Sequence, residues 1–452
     1  MNIVILAAGQ GKRMQSDLPK VLHPLAGKPL LRHVLDIAVQ MHPESICVVY
    51  GHGGDAVPNA FADLPEIHWA LQEVQLGTGH AVRQALPYLR EDTDTLILYG
   101  DVPLIKAKTL EALKNQATSG LALLTVTLPD PSGYGRIVRK NSKIAKIVEQ
   151  KDAASDELAI TEVNTGIMLV ATSKLKRWLG NVRSENAQKE YYLTDIVSMA
   201  VEEGILVGSV EPASASETLG VNSRAQLSQL ERIFQKETAE LLMDQGTTLL
   251  DPDRLDIRGS LKAGKDCSID VNCIFEGEVV LGDCVSIGPN CVIRNVQIGN
   301  GTRIEAFCHL DGAHIGQRCS VGPYARLRPA TTLAEDVHIG NFVEVKASQI
   351  QAGTKAGHLS YLGDATIGRN VNVGAGTITC NYDGANKYRT IIEDDVFIGS
   401  DTQLIAPVTV RRGATLAAGT TLAKDAPEDM LTISRVTQKS VRWQRPSKKK
   451  NP

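Results

Sequence analysis

A glycine-rich segment near the start of the chain carries side chains suited to bind phosphate. The segment Leu6-Ala7-Ala8-Gly9-Gln10-Gly11-Lys12-Arg13-Met14 follows an apolar run directly, and Lys20 comes shortly after it. Glycines let backbone N–H groups approach phosphate oxygens at the end of a strand. A guanidinium binds phosphate through paired hydrogen bonds, and an ammonium adds a mobile positive charge. The segment therefore predicts phosphate binding, although it matches neither the P-loop nor the G-x-G-x-x-G pattern.

Short apolar runs that alternate with helical patterns predict the elements that hold this segment. Such alternation indicates a parallel sheet covered by helices on both faces. The predicted helices are Leu30–Met41 and Ala81–Leu89. The predicted strands, each buried on both faces, are Ile3–Leu6, Ile46–Tyr50, Ile67–Leu71, Leu96–Tyr99 and Leu121–Val126. We therefore expect an α/β Rossmann-like domain at residues 1–224.

A single helix is predicted between the two halves of the chain, at residues 225–246. Ser223 and Gln226 have the spacing of a capping box, which satisfies backbone N–H groups at the start of a helix. Gly246 is a suitable end residue. At 1.5 Å per residue the helix would be roughly 33 Å long. The apolar residues that keep the helical period are Leu227, Leu230, Phe234 and Leu241.

From about residue 255 the aliphatic residues recur every six positions. This period matches neither a helix nor a lone strand, and it is typical of a parallel β-helix in which three hexapeptides close a triangular coil. We expect a left-handed β-helix at 247–441, with on the order of nine coils. The series are Leu281, Ile287 and Ile293; after a five-residue step, Ile298, Ile304 and Leu310; Ile315, Val321, Leu327, Leu333, Ile339 and Val345; and Ile392, Ile398, Leu404, Val410, Leu416 and Leu422.

The six-residue period is interrupted between Thr379 and Ile392, where residues 381–388 are predicted to form an inserted loop. Insertions in repeat arrays become loops on one face, often the binding face. Polar residues cluster within about four coils of this loop, so a second site is expected on the solenoid. They are Arg328, Glu344, Lys346, His358, Tyr361, Asn372, Asn381, Tyr382 and Lys387.

Composition argues against nucleic-acid and membrane partners. The formal net charge of the 452 residues is -3, and the basic run at 448–450 is interpreted as a solvated end. No apolar run approaches the roughly 20 residues of a membrane span, and Gly9 interrupts the first run before signal-peptide length. The eight cysteines contain no C-x-x-C pair, so we expect reduced, buried thiols in a cytoplasmic protein rather than a zinc site.

The motifs of the first half resemble those of a known family. Leu6–Met14 with Leu18-Pro19-Lys20 resembles the signature of sugar-1-phosphate nucleotidyltransferases. With the hexapeptide repeats, nearly the whole chain resembles the bifunctional bacterial N-acetylglucosamine-1-phosphate uridyltransferase/glucosamine-1-phosphate acetyltransferase family. Lys12 departs from the pattern, in which Thr is frequent, and is expected to alter loop charge rather than the reaction. The further matching segments are Gln72 with 75–81, 99–104, 133–137, 147–149, 164–166, 190–195 and 220–222.

The resemblance implies two consecutive reactions. The domain at 247–441 would transfer acetyl from acetyl-CoA to glucosamine 1-phosphate. The domain at 1–224 would then transfer uridylyl from UTP to N-acetylglucosamine 1-phosphate and release pyrophosphate. The product would supply precursors of peptidoglycan and lipopolysaccharide. The resemblance also implies Mg²⁺ and a homotrimer, and residues 442–452 are expected to be a disordered basic tail.

For uridyl transfer, the resemblance implies Mg²⁺ held by Asp101 and Asn222. Asp101 follows a buried strand, at the sheet edge where α/β folds bind ligands, and both side chains offer hard oxygens. Arg13 and Lys20 would be catalytic, because they align the reactants and neutralise charge. The implied uracil and ribose contacts are Gln72, Gly77 and Thr78. Those to N-acetylglucosamine are Gly135, Glu149, Asn164 and Thr194, and further nucleotide contacts are Leu6, Ala7, Gly9, Tyr99 and Gly100.

For acetyl transfer, the resemblance implies His358 as the general base. An amine must lose a proton when it attacks a thioester, and an imidazole with a pKa of about 6.5 is suited to accept it. Glu344 would orient the ring, and the active site would lie between subunits. The implied glucosamine-1-phosphate contacts are Arg328, Lys346, Tyr361, Asn372 and Lys387. The implied acetyl-CoA contacts are Ala375, Asn381, Tyr382, Ser400, Ala418 and Arg435.

Three other interpretations are weighed against this one. The solenoid could serve only for oligomerisation or regulation, as in glucose-1-phosphate adenylyltransferases, but the polar cluster around His358 argues against that role. A zinc hydratase of the carbonic-anhydrase kind on a left-handed β-helix requires three convergent histidines. A non-catalytic scaffold has no use for Arg13, Lys20 and Asp101 together.

Overall fold

The computed structural model describes residues 1–445, which form two compact units that divide between Gln235 and Lys236. Within these residues, no helix is both long enough and apolar enough to cross a membrane. The α-helices are α1 Leu30–Gln40, α2 Ala56–Asn59, α3 Thr78–Ala85, α4 Ala107–Gln116, α5 Ser155–Leu158, α6 Thr172–Asn181, α7 Asp195–Glu202 and α8 Arg224–Asp244. Short 3-10 turns cover Lys12–Met14, Lys20–Leu22, Leu86–Tyr88, Ala215–Thr218 and Pro252–Arg254.

The first unit is built on one twisted sheet with buried apolar side chains on both faces. Its strands are β1 Asn2–Leu6, β2 Pro24–Leu25, β3 Lys28–Pro29, β4 Ser45–Tyr50, β5 Ile67–Leu71, β6 Asp94–Tyr99, β7 Leu121–Thr127, β8 Arg136–Lys140, β9 Lys143–Val148, β10 Glu162–Ala171 and β11 Gly208–Val210. The main order is β11-β7-β10-β6-β1-β4-β5, and β2 pairs only with β3. Strand β1 runs parallel to β4 and β6, whereas β10 is antiparallel to β6 and β7. The α/β prediction is confirmed, and the sheet is mixed at β10.

Two predicted elements of this unit differ in detail from the structure. Strand β5 was expected to be buried on both faces, but Leu71 is 42% exposed, because β5 is the last strand of the sheet order. Helix α3 begins at Thr78 rather than Ala81 and ends at Ala85. A 3-10 turn containing Pro87 follows at once, since proline has no N–H to continue the helical ladder.

Helix α8 starts with one capping hydrogen bond of the predicted kind. Ser223 Oγ accepts the N–H of Gln226 at 3.2 Å. The Gln226 carboxamide oxygen accepts the N–H of Asn222 at 2.8 Å, one residue earlier than a capping box requires. Gly246 follows the helix with φ of 96°, a left-handed end that glycine adopts without strain.

The second unit is a left-handed parallel β-helix, as predicted. An 11-stranded sheet forms one face, with strands Thr248–Leu249, Ser268–Ile269, Ser286–Ile287, Arg303–Ile304, Ser320–Val321, His338–Asn341, Lys355–His358, Asn372–Val373, Phe397–Ile398, Thr415–Leu416 and Leu431–Thr432. The other strands are Leu255–Ala263, Cys273–Leu281, Val292–Arg294, Gln297–Ile298, His309–Asp311, Ala313–Ile315, Arg326–Leu327, Thr331–Leu333, Glu344–Lys346, Gln349–Ile350, Tyr361–Gly363, Ala365–Ile367, Ile378–Cys380, Thr390–Ile392, Gln403–Ile405, Val408–Val410 and Thr421–Leu422.

Strand registers confirm that three hexapeptides close one coil. Val321 pairs with Ile339, 18 positions later, and every aliphatic residue of the predicted series is buried. A second five-residue step follows Val345, so Val345 pairs with Leu362 after 17 positions. The inserted loop lengthens one coil, because Ile367 pairs with Ile392 after 25 positions. Each coil hydrogen-bonds mainly to its neighbours, as in other solenoids.

All eight cysteines are free thiols. Six of them are buried, as the sequence predicts for the whole set. Cys284 is exposed and Cys380 is partly exposed, so that prediction is wrong for these two. Cys284 has φ of 56° at a corner, where a left-handed residue projects its side chain away from the aliphatic core.

Candidate functional site

A cavity of about 310 Å³ opens beside the glycine-rich segment of the first unit. It lies at the carboxyl ends of β1 and β6, the edge where parallel sheets bind ligands. Nine of the predicted nucleotide-site residues line it: Leu6, Ala7, Gly9, Lys20, Gln72, Gly77, Thr78, Tyr99 and Asp101. The cavity also contacts Ala8, Val21, Gln75, Ala81 and Glu190, which the predicted set did not contain.

Lys20 joins the two predicted metal ligands. Its ammonium forms an ion pair with Asp101 Oδ2 and lies 3.2 Å from Asn222 Oδ1. Asp101 lies two residues after the end of β6, and Asn222 precedes α8, whose residue Gln226 accepts the Asn222 backbone N–H. Two oxygens from distant parts of the sequence therefore converge on one cation. Carboxylate and carboxamide oxygens are also the ligands that Mg²⁺ accepts in proteins.

A second group of predicted residues forms the wall around Gln72. The Gln72 carboxamide donates to the Gly77 carbonyl at 3.2 Å and lies 2.9 Å from His80 Nδ1. Gly77 has φ of 105°, and a Cβ there would lie 2.7 Å from the Tyr191 carbonyl oxygen, so only glycine fits. Thr78 Oγ1 accepts the N–H of Leu193 at 3.1 Å. These contacts fix the wall through the backbone.

The predicted sugar contacts form a polar group beyond that cavity. Thr194 Oγ1 donates to Glu149 Oε1 at 3.0 Å, and the backbone N–H of Asn164 donates to the Gly135 carbonyl at 2.8 Å. Burial raises the pKa of Glu149 above its usual value, an effect that the Thr194 hydrogen bond partly offsets. Burial, with the nearby charges of Glu149 and Asp152, raises the pKa of Asp195 to about 6.

A β-bulge in β10 lies between Asn164 and Met168, beside Tyr99 of β6. The pairing of β10 with β7 shifts register between Asn164 and Met168, and bulges of this kind re-aim side chains next to active sites. The N–H of Gly166 donates to Asn164 Oδ1 at 3.1 Å. The Tyr99 ring packs against Gly166, where a Cβ would collide with it. Gly100 similarly accommodates Ala7, Leu31 and Val21.

Arg13 stands apart from the residues that line the cavity. It lies exposed on the 3-10 turn Lys12–Met14, whereas Lys20 is directed into the cavity. The two cations of the glycine-rich segment are therefore placed differently. Lys20 already contacts the predicted metal ligands, and Arg13 faces solvent at the rim of the same segment.

On the solenoid, His358 lies at the end of the strand Lys355–His358 and is exposed. Its Nδ1 is 2.7 Å from Asn341 Oδ1, and the two residues pair in successive coils. Later coils continue this register through Val373, Ile398 and Leu416. His358 lies two residues after Ala356, which pairs with Val373. Ala375, Ser400 and Ala418 lie two residues after Val373, Ile398 and Leu416, so they occupy the same position in later coils. The predicted base and three predicted acetyl-CoA residues therefore form one column at one corner.

The column consists of small residues above an imidazole, which leaves room for an elongated ligand. The carbonyl of Ala375 accepts the N–H of Asp401, and the carbonyl of Ser400 accepts the N–H of Gly419. Arg435 reaches this end of the column, since a Cβ on Gly419 would lie 3.7 Å from its Cδ. The predicted acetyl-CoA residues therefore include four along one edge.

A pair of lysines marks a second feature of the solenoid. Lys346 lies 3.8 Å from Asp364 Oδ2, and Asp364 also accepts a hydrogen bond from Asn381. The adjacent ammonium of Lys346 lowers the pKa of Lys387, which projects from the inserted loop. Two cations held this close favour an anion between them, as expected for a site that binds a phosphate group.

The inserted loop is a small hairpin. Tyr382 pairs with Lys387, and the Tyr382 hydroxyl donates to the Gly384 carbonyl at 2.6 Å. Tyr361 lies beside Gly363, where a side chain would collide with the phenol, and Asn372 is exposed on the strand that follows the His358 strand in the sheet. Tyr361, Lys346 and Lys387 are therefore available to a ligand.

The predicted contact between Glu344 and His358 is absent from the single chain, over residues 1–445. Glu344 instead accepts a hydrogen bond from Arg328 at 3.0 Å and lies 3.7 Å from Arg326. Arg326 pairs in register with Glu344 from the preceding coil, and Arg328 lies two residues further along that coil. Within one chain, the His358 ring contacts Asn341 instead. Asn341 lies one coil before His358, so the period of the repeat could have identified it.

Comparisons with known proteins support the two-part architecture. A model of the MobA-like NTP transferase domain matches residues 3–154. Models of the GMPPB C-terminal domain and of the hexapeptide repeat of succinyl-transferase match residues 257–348 and 389–424. A solved UDP-glucose pyrophosphorylase complexed with UDP-glucose covers 52% of this chain and 98% of its own, with 15% identity and a TM-score of 0.43, too distant to support an assignment.

Curated relatives match the whole chain. The bifunctional protein GlmU of Azoarcus sp. (strain BH72) is 60% identical over 453 residues, covering 100% of both chains. The bifunctional protein GlmU of Paraburkholderia xenovorans is 60% identical and also covers 100% of both, and that of Cupriavidus pinatubonensis is 60% identical over 99% of both. The chain therefore belongs to the family of bifunctional GlmU proteins, the N-acetylglucosamine-1-phosphate uridyltransferase/glucosamine-1-phosphate acetyltransferases.

Proposed function

We propose that the cavity around Asp101 is the uridyltransferase site and that the column at His358 is the acetyltransferase site. The chain is a bifunctional transferase that carries out two consecutive steps of UDP-N-acetylglucosamine synthesis. Its product supplies precursors of peptidoglycan and lipopolysaccharide. The column is the observation that supports a second site on the solenoid, because it aligns His358 with Ala375, Ser400 and Ala418 from successive coils.

In the first unit, UTP would occupy the cavity beside the glycine-rich segment. An oxygen of the sugar phosphate attacks the α-phosphorus of UTP, and the bond to the β-phosphate oxygen breaks, so that pyrophosphate leaves. Lys20 and Arg13 neutralise charge on the phosphates. Mg²⁺, when held by Asp101 and Asn222, supplies further charge neutralisation. The two oxygen atoms of Asp101 and Asn222 support this metal, since both already contact a single cation, the Lys20 ammonium.

The remaining nucleotide-site residues would orient the two substrates. Gln72, Gly77 and Thr78 would contact uracil and ribose from the wall that Tyr191 and Leu193 support. Glu149 and Thr194 would bind N-acetylglucosamine, with Asn164 and Gly135 beside them. A half-buried carboxylate that already accepts one hydroxyl is suited to accept a sugar hydroxyl as well.

In the second unit, His358 would take the proton from the amine of glucosamine 1-phosphate. Asn341 Oδ1 accepts the Nδ1–H, which leaves the Nε2 lone pair free as the base. The amine nitrogen attacks the thioester carbonyl of acetyl-CoA, the C–S bond breaks, and coenzyme A leaves as a thiol. Asn341 is thus a positioning residue that selects the ring tautomer.

The lysine pair would bind the phosphate of glucosamine 1-phosphate. Lys346 and Lys387 are adjacent, and their mutual repulsion is relieved when a phosphate group lies between them. Arg328, Tyr361 and Asn372 would complete this subsite. Asn381, Tyr382 and Arg435 would contact acetyl-CoA with the small residues of the column.

We also propose a homotrimer, which exposed aromatic residues next to the base support. Phe307, Tyr324 and Phe342 stack in successive coils with ring centroids 4.9 and 5.2 Å apart. Their exposed fractions are 47, 48 and 55%. Phe342, the last member of this aromatic ladder, directly follows Asn341 at the His358 corner. Burial of the ladder by other copies would therefore bring their side chains to the base.

A cytoplasmic location is part of the same proposal. All eight cysteines are free, which fits a reducing compartment. Acetyl-CoA and UTP, the two co-substrates, are metabolites of that compartment. Fractionation of cells with an antibody to the chain would test the location, and recovery with the periplasmic fraction would contradict it.

Two substitutions test the assignment of the sites. Asp101→Ala should abolish pyrophosphate release from UTP and N-acetylglucosamine 1-phosphate, while His358→Ala should abolish free-thiol release from acetyl-CoA and glucosamine 1-phosphate. Each variant should keep the other activity, because the sites lie in separate compact units. Loss of both activities in either folded variant would refute the two-site model.

A further inference from the structure

The Lys20 ammonium occupies the position between the two oxygens proposed to hold Mg²⁺. It pairs with Asp101 Oδ2 and lies 3.2 Å from Asn222 Oδ1. The side chains of Lys20 and Asp101 are only 11 and 15% exposed, so water screens their attraction weakly. A charge-assisted hydrogen bond to a carboxylate competes directly with any other cation at the same oxygen.

The glycine-rich segment holds Lys20 in this position. Gly11 has φ of 59°, and a Cβ there would lie 2.8 Å from the Lys20 Cβ. A Cβ on Gly9 would lie 3.9 Å from the Lys20 Nζ. The stem of Lys20 therefore packs along the segment, with Gly11 near its base and Gly9 near its charged end. The glycines make room for the lysine as well as for a phosphate.

We propose that Lys20 is the resident cation of this site, leaving Asp101 and Asn222 when a divalent ion binds there and moving to the UTP phosphates. The proposal rests on the metal site of the proposed function. Two cations cannot share Asp101 Oδ2 at contact distance without strong repulsion. In the absence of substrate, Lys20 keeps the buried carboxylate neutralised, which avoids the cost of an unpaired charge.

The exchange links the binding of the divalent ion to that of the nucleotide. A divalent ion that binds alone must leave Lys20 without a counterion inside the cavity. UTP provides that counterion through its phosphates, so ion and nucleotide bind more tightly together than separately. This coupling is reciprocal, because each ligand changes the affinity for the other by the same factor.

Binding of Mn²⁺ to the full-length protein without nucleotide tests the exchange, with electron paramagnetic resonance of free Mn²⁺ as the readout. Lys20→Met removes the competing ammonium at similar side-chain length. We expect it to bind Mn²⁺ roughly 10- to 100-fold more tightly than the wild type, the range expected when a charge-assisted bond need not be broken. Lys12→Met is the matched control, since it removes an exposed cation of the same segment.

Adding UTP sharpens the test. The wild type should gain Mn²⁺ affinity with UTP by a larger factor than Lys20→Met does, once the affinity of free UTP for Mn²⁺ is subtracted. If the wild type, Lys12→Met and Lys20→Met bind Mn²⁺ equally well without nucleotide, the exchange is overturned, whereas the proposed metal site is not. An equal gain in Lys12→Met and Lys20→Met would also overturn it, because general charge removal would explain the gain.

A double variant separates this proposal from the metal site itself. Asp101→Asn combined with Lys20→Met should lose the tight Mn²⁺ site of the single variant. If the double variant keeps that site, Mn²⁺ binds elsewhere, and both the metal site and the exchange fail. Thermal unfolding of each variant shows whether the first unit remains folded, and Lys20→Arg provides a second folded variant that keeps the charge.

Discussion

The two units assemble their sites in different ways. In the α/β unit, Lys20, Asp101 and Asn222 come from distant parts of the chain and meet at one edge of a sheet. In the solenoid, the column residues recur at intervals of one coil, so each is placed by the register of its own coil. The first site depends on the long-range fold, and the second depends on a local repeat.

The two sites also differ in how far one chain encloses them. The cavity of the α/β unit is lined by residues of one chain on several sides. The His358 column lies at an exposed corner, flanked by the aromatic ladder of Phe307, Tyr324 and Phe342. The repeat aligns these side chains along an edge without enclosing a ligand, and the proposed trimer would supply the missing walls.

The largest expected effect comes from breaking the aromatic ladder. Phe342→Asp should convert the proposed trimer to monomers, since the trimer would bury an unpaired carboxylate in the ladder. Acetyl transfer should fall roughly 100-fold or more as the parts of the site separate. Uridyl transfer should stay unchanged. Sedimentation and both assays on the same sample provide the measurement.

The control for this variant is Leu250→Asp, which changes an exposed apolar residue at the first solenoid strand, 63% exposed. Aspartate also tolerates the left-handed φ of 55° at position 342, so Phe342→Asp should fold. A trimeric Phe342→Asp with full acetyl transfer would exclude the ladder as the interface.

A smaller effect is expected from the partner of the base. Asn341→Ala removes the acceptor that selects the His358 tautomer, so kcat for acetyl transfer should fall by roughly 10- to 100-fold. KM for acetyl-CoA should stay the same, because Asn341 is below the column. Asn370→Ala, which removes an exposed asparagine from a corner of the solenoid, is the control. Equal kcat values in the two variants would remove Asn341 from the mechanism.

The smallest effect concerns the α/β unit alone. The pKa of Asp195 is raised from 3.8 to about 6, mainly by burial, so its charged form costs free energy only in the folded state. This cost is absent below pH 4, grows between pH 4 and 6, and is complete above pH 6. Asp195→Asn should therefore raise the unfolding temperature at pH 8 and leave it nearly unchanged at pH 4. A larger gain in unfolding temperature at pH 4 than at pH 8 would contradict the raised pKa of Asp195.

The repeat made much of the solenoid predictable. Residues such as Leu327 and Ile398 were placed in the core by period alone, because each coil repeats the same inward position. The period does not identify partners across coils. The contact of Glu344 with His358 is an expectation from the resemblance, and within one chain the register places Arg326 beside Glu344. The five-residue step from Val345 to Ile350 is less visible than the one from Ile293 to Ile298, because the small Ala356 takes the next inward position.

The α/β unit was predictable for a different reason. Apolar runs indicated its strands, but they could not show that β5 is an edge strand, which depends on the sheet order. Convergence of Asp101 and Asn222 rested on resemblance, because no spacing relates these two positions. The contact of Lys20 with both oxygens was not predicted, since it depends on how the stem packs along Gly9 and Gly11.

The position of the column within the array has a thermodynamic consequence. Ala418 follows Thr415–Leu416, the penultimate strand of its face, which pairs with the final strand Leu431–Thr432. A repeat array opens most readily from its ends, where each coil has only one neighbour. Acetyl-CoA bound along the upper column would close that end, so coenzyme binding should appear as slowed hydrogen exchange in the last coils. In that case the coenzyme would act as a terminal cap of the array.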